Sequence, residues 1–167
     1  KLSKVDKIDL DYIDNDNFKN KFIVNRTKNN NYELKGSFLN ADPIITSLLE
    51  SKDDQKLNIF SENINISLNF SEVYLDSNNV IKNLKGKLQI IDNKVDLADI
   101  SALFDNNKNL TFTINTKDDE KITTLFSSKA KPLVKRYKFI KGFEDGDEGY
   151  LDFYSSKNNG ISNSKLI

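Results

Sequence analysis

The side chains in this chain that could carry chemistry are carboxylates. Glu144, Asp145, Asp147 and Glu148 crowd one short stretch between Phe143 and Gly149, and Asp14 and Asp16 alternate with Asn15 and Asn17. Such clusters offer oxygen ligands to a hard cation, or paired carboxylates to a hydrolase. Neither has the ligand spacing of an EF-hand loop. Neither has an imidazole or a thiol beside it, because the chain contains no His and no Cys. Thiolate nucleophiles, imidazole bases, disulfides and the common zinc and haem ligands are thereby excluded together. Both clusters read as solvated turns. The expectation is a chain with no catalytic residue, no metal site and no cofactor, and a carboxylate hydrolase is carried only as a third reading.

Charge gives no better footing for a polyanion. Lys and Arg total 25 and Asp and Glu total 25, so no global field favours nucleic acid or an anionic membrane surface. Lys outnumbers Arg 23 to 2, and Arg is the preferred phosphate fork; no nucleic-acid partner is expected. Lys129, Lys131, Lys135, Arg136 and Lys138 alternate with Leu133, Val134, Tyr137, Phe139 and Ile140. This reads as an amphipathic helix that caps one end of a sheet and turns its lysines to water. Four Asn-x-Ser/Thr triplets, at Asn25, Asn65, Asn69 and Asn109, are what chance supplies in a chain with 23 Asn. No apolar run approaches the ~20 residues of a membrane span. The chain also contains no Met, which gives the expectation of a segment of a longer protein, and the absence of Cys fits an oxidising compartment outside the cytosol managed without disulfides.

The elements that would position these residues are mostly strands. Ile64, Ile66, Leu68 and Phe70 alternate with Asn65, Ser67, Asn69 and Ser71, and Leu110, Phe112 and Ile114 alternate with Thr111, Thr113 and Asn115. A period of two is the signature of a half-buried strand. The phase slips at Ser71-Glu72, after which Val73 and Leu75 are apolar, and a bulge there would account for it. Leu84, Leu88 and Ile90 continue the pattern, as do Ile8, Leu10 and Tyr12, then Tyr32, Leu34 and Phe38, then Val95 and Leu97 followed by Ile100, Ala102 and Phe104. Polar turn clusters separate them, as at Asp76-Ser77-Asn78-Asn79 and Asp92-Asn93. Two stretches have helical spacing instead, Asp42–Glu50 and Lys131–Ile140, each with a proline as its second residue. The fold class expected is mainly β: a curved antiparallel β-meander forming an open, groove-like sheet, with two short helices. Within the single β-rich segment the two proline-led stretches suggest weak repeat units at 1–52 and 57–141, with 149–167 starting the next; two unrelated helices that each begin with proline would give the same pattern, and both readings stay open.

Ile64, Ile66, Leu68, Phe70, Leu84, Leu88, Ile90, Leu110, Phe112 and Ile114 are the candidate site. These residues form either the core of a β-sandwich, as in a structural or adhesive surface module, or the lining of an open apolar groove for acyl chains. Both arrangements place apolar side chains on one face, so periodicity leaves both open.

The order of elements resembles the AsmA-like family. Gly36-Ser37-Phe38-Leu39-Asn40-Ala41-Asp42-Pro43-Ile44-Ile45 is similar to its recurring element of glycine, strand end, aspartate and short helix. Val73-Tyr74-Leu75, Leu84-Lys85-Gly86-Lys87-Leu88 and Asp92-Asn93-Lys94-Val95-Asp96-Leu97 resemble its succession of strand, glycine, strand, turn and strand. Leu110–Ile114, the Pro132 helix and Gly149-Tyr150-Leu151-Asp152-Phe153 resemble the elements that close the unit. The likeness runs from about Tyr32 onward. It implies a periplasmic segment of a protein anchored in the inner membrane of a diderm bacterium. Its long sheet would bind phospholipid, or another acyl-chain lipid, and help move it toward the outer membrane.

Overall fold

The alternating runs become strands, and the strands pair in the order in which the chain makes them. The computed structural model describes residues 6–28, 30–44, 63–92, 94–118, 120–137, 149–158 and 161–166. Its strands are β1 (Lys7–Ile13), β2 (Lys19–Arg26), β3 (Asn31–Asn40), β4 (Ile64–Tyr74), β5 (Val80–Ile91), β6 (Lys94–Phe104), β7 (Lys108–Lys117), β8 (Glu120–Ser127), β9 (Leu151–Asn158) and β10 (Ile161–Leu166). They form one sheet in sequential order that does not close into a barrel. A helix, α1 (Lys131–Tyr137), follows β8. Residues 42–44 are helical as well, and the rest of the first predicted helix lies outside the described residues.

One pair departs from the expected antiparallel meander. β3 and β4 run parallel, from Asn31↔Asn65 to Asn40↔Tyr74, while every other neighbouring pair is antiparallel. A parallel pair needs a crossover of about a dozen residues or more. The chain between Asn40 and Ile64 has that length, whereas the connections predicted as tight turns do not.

The tight turns explain the Asn-rich composition in part. Asn17, Asn30, Asn83, Asp92, Asn106, Asn107 and Asp118 all have positive φ. Only Gly adopts that region freely, and Asn and Asp tolerate it best among the rest. All but Asn83 lie in connections between strands. With only 6 Gly in the chain, Asn and Asp take the left-handed positions.

Asn83 marks a dislocation inside the sheet. Pairing across β3, β4 and β5 passes over Ser37, Ser71 and Asn83 in one line, between Gly36↔Phe70↔Leu84 and Phe38↔Glu72↔Lys82. On all three strands the apolar phase changes there: Leu34 to Leu39, Phe70 to Val73, Leu84 to Ile81. The slip expected at Ser71-Glu72 is therefore shared by three strands, which keeps their mutual register. It is absorbed at the flanks, where register breaks between Lys21 and Phe22 on β2 and between Lys82 and Lys85 on β5.

The core sits under α1. Phe70, Val73, Leu75, Ile81, Leu84, Ala102, Phe104, Leu110 and Leu151 pack with Ala130, Leu133 and Val134. Ser127, fully buried, fixes the entry to this helix: its Oγ donates to the Lys129 carbonyl at 2.7 Å and accepts from the Lys129 N–H at 3.2 Å. The Ala130 N–H donates to the Gly149 carbonyl at 2.8 Å, tying the helix start to the approach to β9. The lysine-bearing helix thus caps one end of the sheet, as its pattern predicts.

Candidate functional site

In a sheet, alternate residues on one strand and directly opposed residues on two strands share a face. The register therefore decides which side chains assemble. Ile8↔Val24, Val24↔Leu34, Leu34↔Leu68, Leu68↔Gly86, Gly86↔Ile100, Ile100↔Phe112, Phe112↔Leu125 and Leu125↔Phe153 are consecutive pairs. This is one row across nine strands, apolar at every position except Gly86. Pairing of Phe153 with Leu166 brings the row to β10. At about 4.8 Å per strand the row is roughly 40 Å long.

Gly86 keeps its place in that row by close approach. A Cβ there would lie 3.0 Å from Ile100 Cγ1 and 3.1 Å from the Asp99 carbonyl oxygen. Every apolar member of the row from Ile8 to Phe153 is half-buried, and none is fully covered. The row on the α1 side is different. Phe70, Leu84, Leu110 and Leu151 are buried, because α1 and the strand ends close over them.

All ten candidate residues lie on this one face, but in two environments. Ile64, Phe70, Leu84, Ile90 and Leu110 are buried, whereas Ile66, Leu68, Leu88, Phe112 and Ile114 are half-buried. The β2 contributors Phe22 and Val24 are not visible in the alternation of the sequence. They flank Ile23 in a contiguous apolar triplet, in which no alternation is visible. The period of two also groups Leu97 with Val95. The register break between β5 and β6, where Ile90 pairs with Val95 but Gln89 with Leu97, leaves Leu97 exposed on the other side.

The opposite face is polar. Glu33, Asn69, Lys85, Asp99 and Ser101 line a hollow there of about 390 Å³. A second hollow, of about 360 Å³, is lined mainly from the same side by Asn31, Asn65, Lys87, Gln89 and Leu97. Oppositely charged groups are interspersed along this face, as in the 3.1 Å pair of Lys35 with Glu33. It has the character of a solvated surface.

Of the carboxylate clusters, residues 144–148 lie outside the described residues. The other is a solvated turn at Asn15, Asp16 and Asn17, which are exposed, but not at Asp14. Asp14 is half-buried, and its carboxylate accepts four hydrogen bonds. They come from the Asp16 N–H at 3.1 Å, the Phe18 N–H at 2.9 Å, the Asn20 amide at 3.2 Å and the Asn40 amide at 2.8 Å. Asn20 and Asn40 are buried, and the Asn40 N–H donates to Asn20 Oδ1 at 2.8 Å. The Asn40 amide, then the Phe18 N–H and the Asn20 amide, hold the Asp14 carboxyl below the usual carboxylate range against the effect of partial burial. The carboxylate knots the β1–β2 turn to the end of β3. Its lone pairs are engaged by the protein, which leaves no open position for a cation. Among the described residues, no group of three or more Asp or Glu side chains is placed to hold a metal ion.

Among the described residues no helix is long and apolar enough to cross a membrane. Comparison with protein-family models, with curated proteins and with solved structures finds no match.

Proposed function

We propose that this chain is a non-catalytic segment of a lipid-binding sheet, with phospholipid or another acyl-chain lipid as its ligand. The half-buried apolar row from Ile8 to Phe153 carries the reading. A sheet meant only to close on a sandwich partner gains from covering such a row fully. Here one row is buried under α1 and its neighbour is left accessible over nine strands. Acyl chains laid on that row are held by the hydrophobic effect, at ~0.8 kcal/mol per buried CH₂. No directional bond has to break for them to slide to the next strand. The resemblance to AsmA-like proteins supports the same reading. It adds a periplasmic location, an inner-membrane anchor elsewhere in the protein and transfer toward the outer membrane.

A structural or adhesive β-module is the second reading. The buried cluster of Phe70, Val73, Leu84 and Leu110 under α1 favours it, since that half of the face is ordinary core. Native mass spectrometry of the purified chain, together with titration of a fluorescent fatty-acid analogue, separates the two. Lipid binding predicts co-purifying phospholipid and saturable uptake of the analogue. A lipid-free protein that takes up no analogue leaves the structural module standing.

A further inference from the structure

The apolar face ends at the buried pair Ile64 and Ile90 on β4 and β5, but it does not end in apolar residues on β7 to β9. On strands β7 to β9 the register steps from Leu110–Ser127–Leu151 to Phe112–Leu125–Phe153, then to Ile114–Thr123–Ser155, then to Thr116–Lys121–Lys157. The same face thus passes from buried apolar residues beside α1, through small hydroxyl side chains, to two lysines placed directly opposite each other. Directly opposed like charges destabilise a sheet pair. Lys121 is also half-buried, and its ammonium makes no ion pair or hydrogen bond with a described residue. A half-buried cation with no ion pair, facing a second cation and with Asp96 as the one carboxylate acting against the burial and the two lysines, is a costly arrangement that an anion set against both lysines would relieve.

From this juxtaposition of Lys121 and Lys157 at the end of the apolar face, we infer that the lysine pair takes the anionic head group of an acyl-chain lipid, whose tail lies along β7–β9 toward α1. The inference rests on the lipid-binding reading and specifies its ligand. The dimensions agree. Leu151 and Lys157 are six positions apart on β9, about 20 Å at ~3.3 Å per residue. One leaflet of acyl chain spans about half of the ~30 Å hydrocarbon core, roughly 15 Å. A tail seated over Phe153 and Phe112 therefore places a carboxylate or phosphate at the lysines. Burial pushes the Lys121 ammonium below the ordinary lysine range, and Lys157 and Lys94 add to this while Asp96 opposes it. A bound anion would reverse the balance.

The test compares cis-parinaric acid with its methyl ester, which has the same tail and no charge. Binding is followed by fluorescence with the wild-type chain, Lys157→Gln and Lys121→Gln/Lys157→Gln. The acid is expected to bind about tenfold more tightly than the ester, the magnitude of one charge-assisted contact. Lys157→Gln should narrow that advantage, and the double variant should bring the acid down to the ester's affinity. Lys157 is exposed, so its single variant decides the matter should the double variant fail to fold by circular dichroism. Acid and ester bound equally by the wild type would overturn the inference and leave the apolar row as a lipid surface. Acetate competing as well as the acid would overturn it by revealing a plain anion site. If neither lipid binds, the lipid-binding reading falls and the head-group site with it.

Discussion

The ring of Phe22 stands edge-on to the ring of Phe70, with 5.8 Å between centroids and 65° between planes, across a residue that has no side chain. That residue is Gly36, paired with Phe22 on one side and Phe70 on the other. A Cβ on Gly36 would lie 2.2 Å from the Lys21 carbonyl oxygen and 2.4 Å from Phe22 Cβ. Two aromatic rings from strands that are not neighbours can meet only because the strand between them leaves the space empty. Edge-on aromatic pairs contribute about 0.5–1.5 kcal/mol beyond their area.

Gly36→Ala is therefore expected to destabilise the chain by about 2–3 kcal/mol, the upper range for overpacking. Gly86→Ala should cost about 1 kcal/mol, because its nearest contact is a side-chain carbon at 3.0 Å. Urea unfolding of the two variants gives the ranking. Adding Phe22→Ala to Gly36→Ala should recover none of the loss, since the Lys21 carbonyl, Phe22 Cα and Phe22 Cβ all remain. Equal costs at the two glycines would contradict the close approach at Gly36.

Acid should loosen the end of the sheet that Asp14 ties together. The folded-state pKa of Asp14 lies below its unfolded value. Its contribution to stability is therefore fully present above the unfolded pKa of about 3.9 and is lost as pH falls through the lower folded value. Unfolding followed from about pH 6 down to about pH 2.5 should show wild-type stability falling below about pH 4. Asp14→Asn should start less stable at neutral pH and show less of that fall. Parallel curves for the two proteins would mean that the carboxylate is not the hub of the knot.

How far the sequence foretells this arrangement depends on what each residue answers to. Ile64 to Phe70 and Leu110 to Ile114 alternate cleanly because each strand has one covered and one wetted face. β2 is hidden because Phe22, Ile23 and Val24 are contiguous. Only the register with β1 and β3 shows that Phe22 and Val24 face one way. The slip at Ser71 is visible in the phase of Val73, but not that Ser37 and Asn83 slip with it, since each strand alone records only its own phase. Parallel pairing of β3 with β4 depends on a crossover rather than on a turn. Asp14 looks solvated because its partner Asn40 is 26 positions away in sequence and Asn20 reaches it only once the β1–β2 hairpin forms. Lys121 and Lys157 are 36 positions apart, and only β8 beside β9 brings them together.

Removing the charge of Lys121 should stabilise the unliganded chain. Burial and Lys157 lower its folded-state pKa, so folding carries a penalty while Lys121 is protonated in both states. That penalty fades as pH rises through the folded pKa toward the unfolded value of about 10.4. Lys121→Met is expected to gain up to about 0.5 kcal/mol at neutral pH, the scale of a like-charge cross-strand pair. The gain should shrink as pH approaches about 10. Thermal melts of both proteins at neutral and alkaline pH measure the difference. A destabilised Lys121→Met would mean that the lysine stem packs better than its charge costs.

Phe70 and Phe112 separate stability from binding. Both are apolar aromatics on the same face, but Phe70 is 1% exposed under α1 and Phe112 is half-buried in the open row. Phe70→Ala opens a cavity in the core and is expected to cost about 3–5 kcal/mol. Phe112→Ala removes a side chain already partly in water, and should cost about 1–2 kcal/mol. If the row is a lipid surface, Phe112→Ala should nevertheless weaken the binding of a fluorescent fatty acid, because the lipid completes the burial that the protein leaves unfinished. Unfolding and probe titration on the same two variants give the comparison directly. A Phe112→Ala chain that binds the probe as well as the wild type would remove the row from the site. A cost comparable with that of Phe70→Ala would instead assign Phe112 to the core.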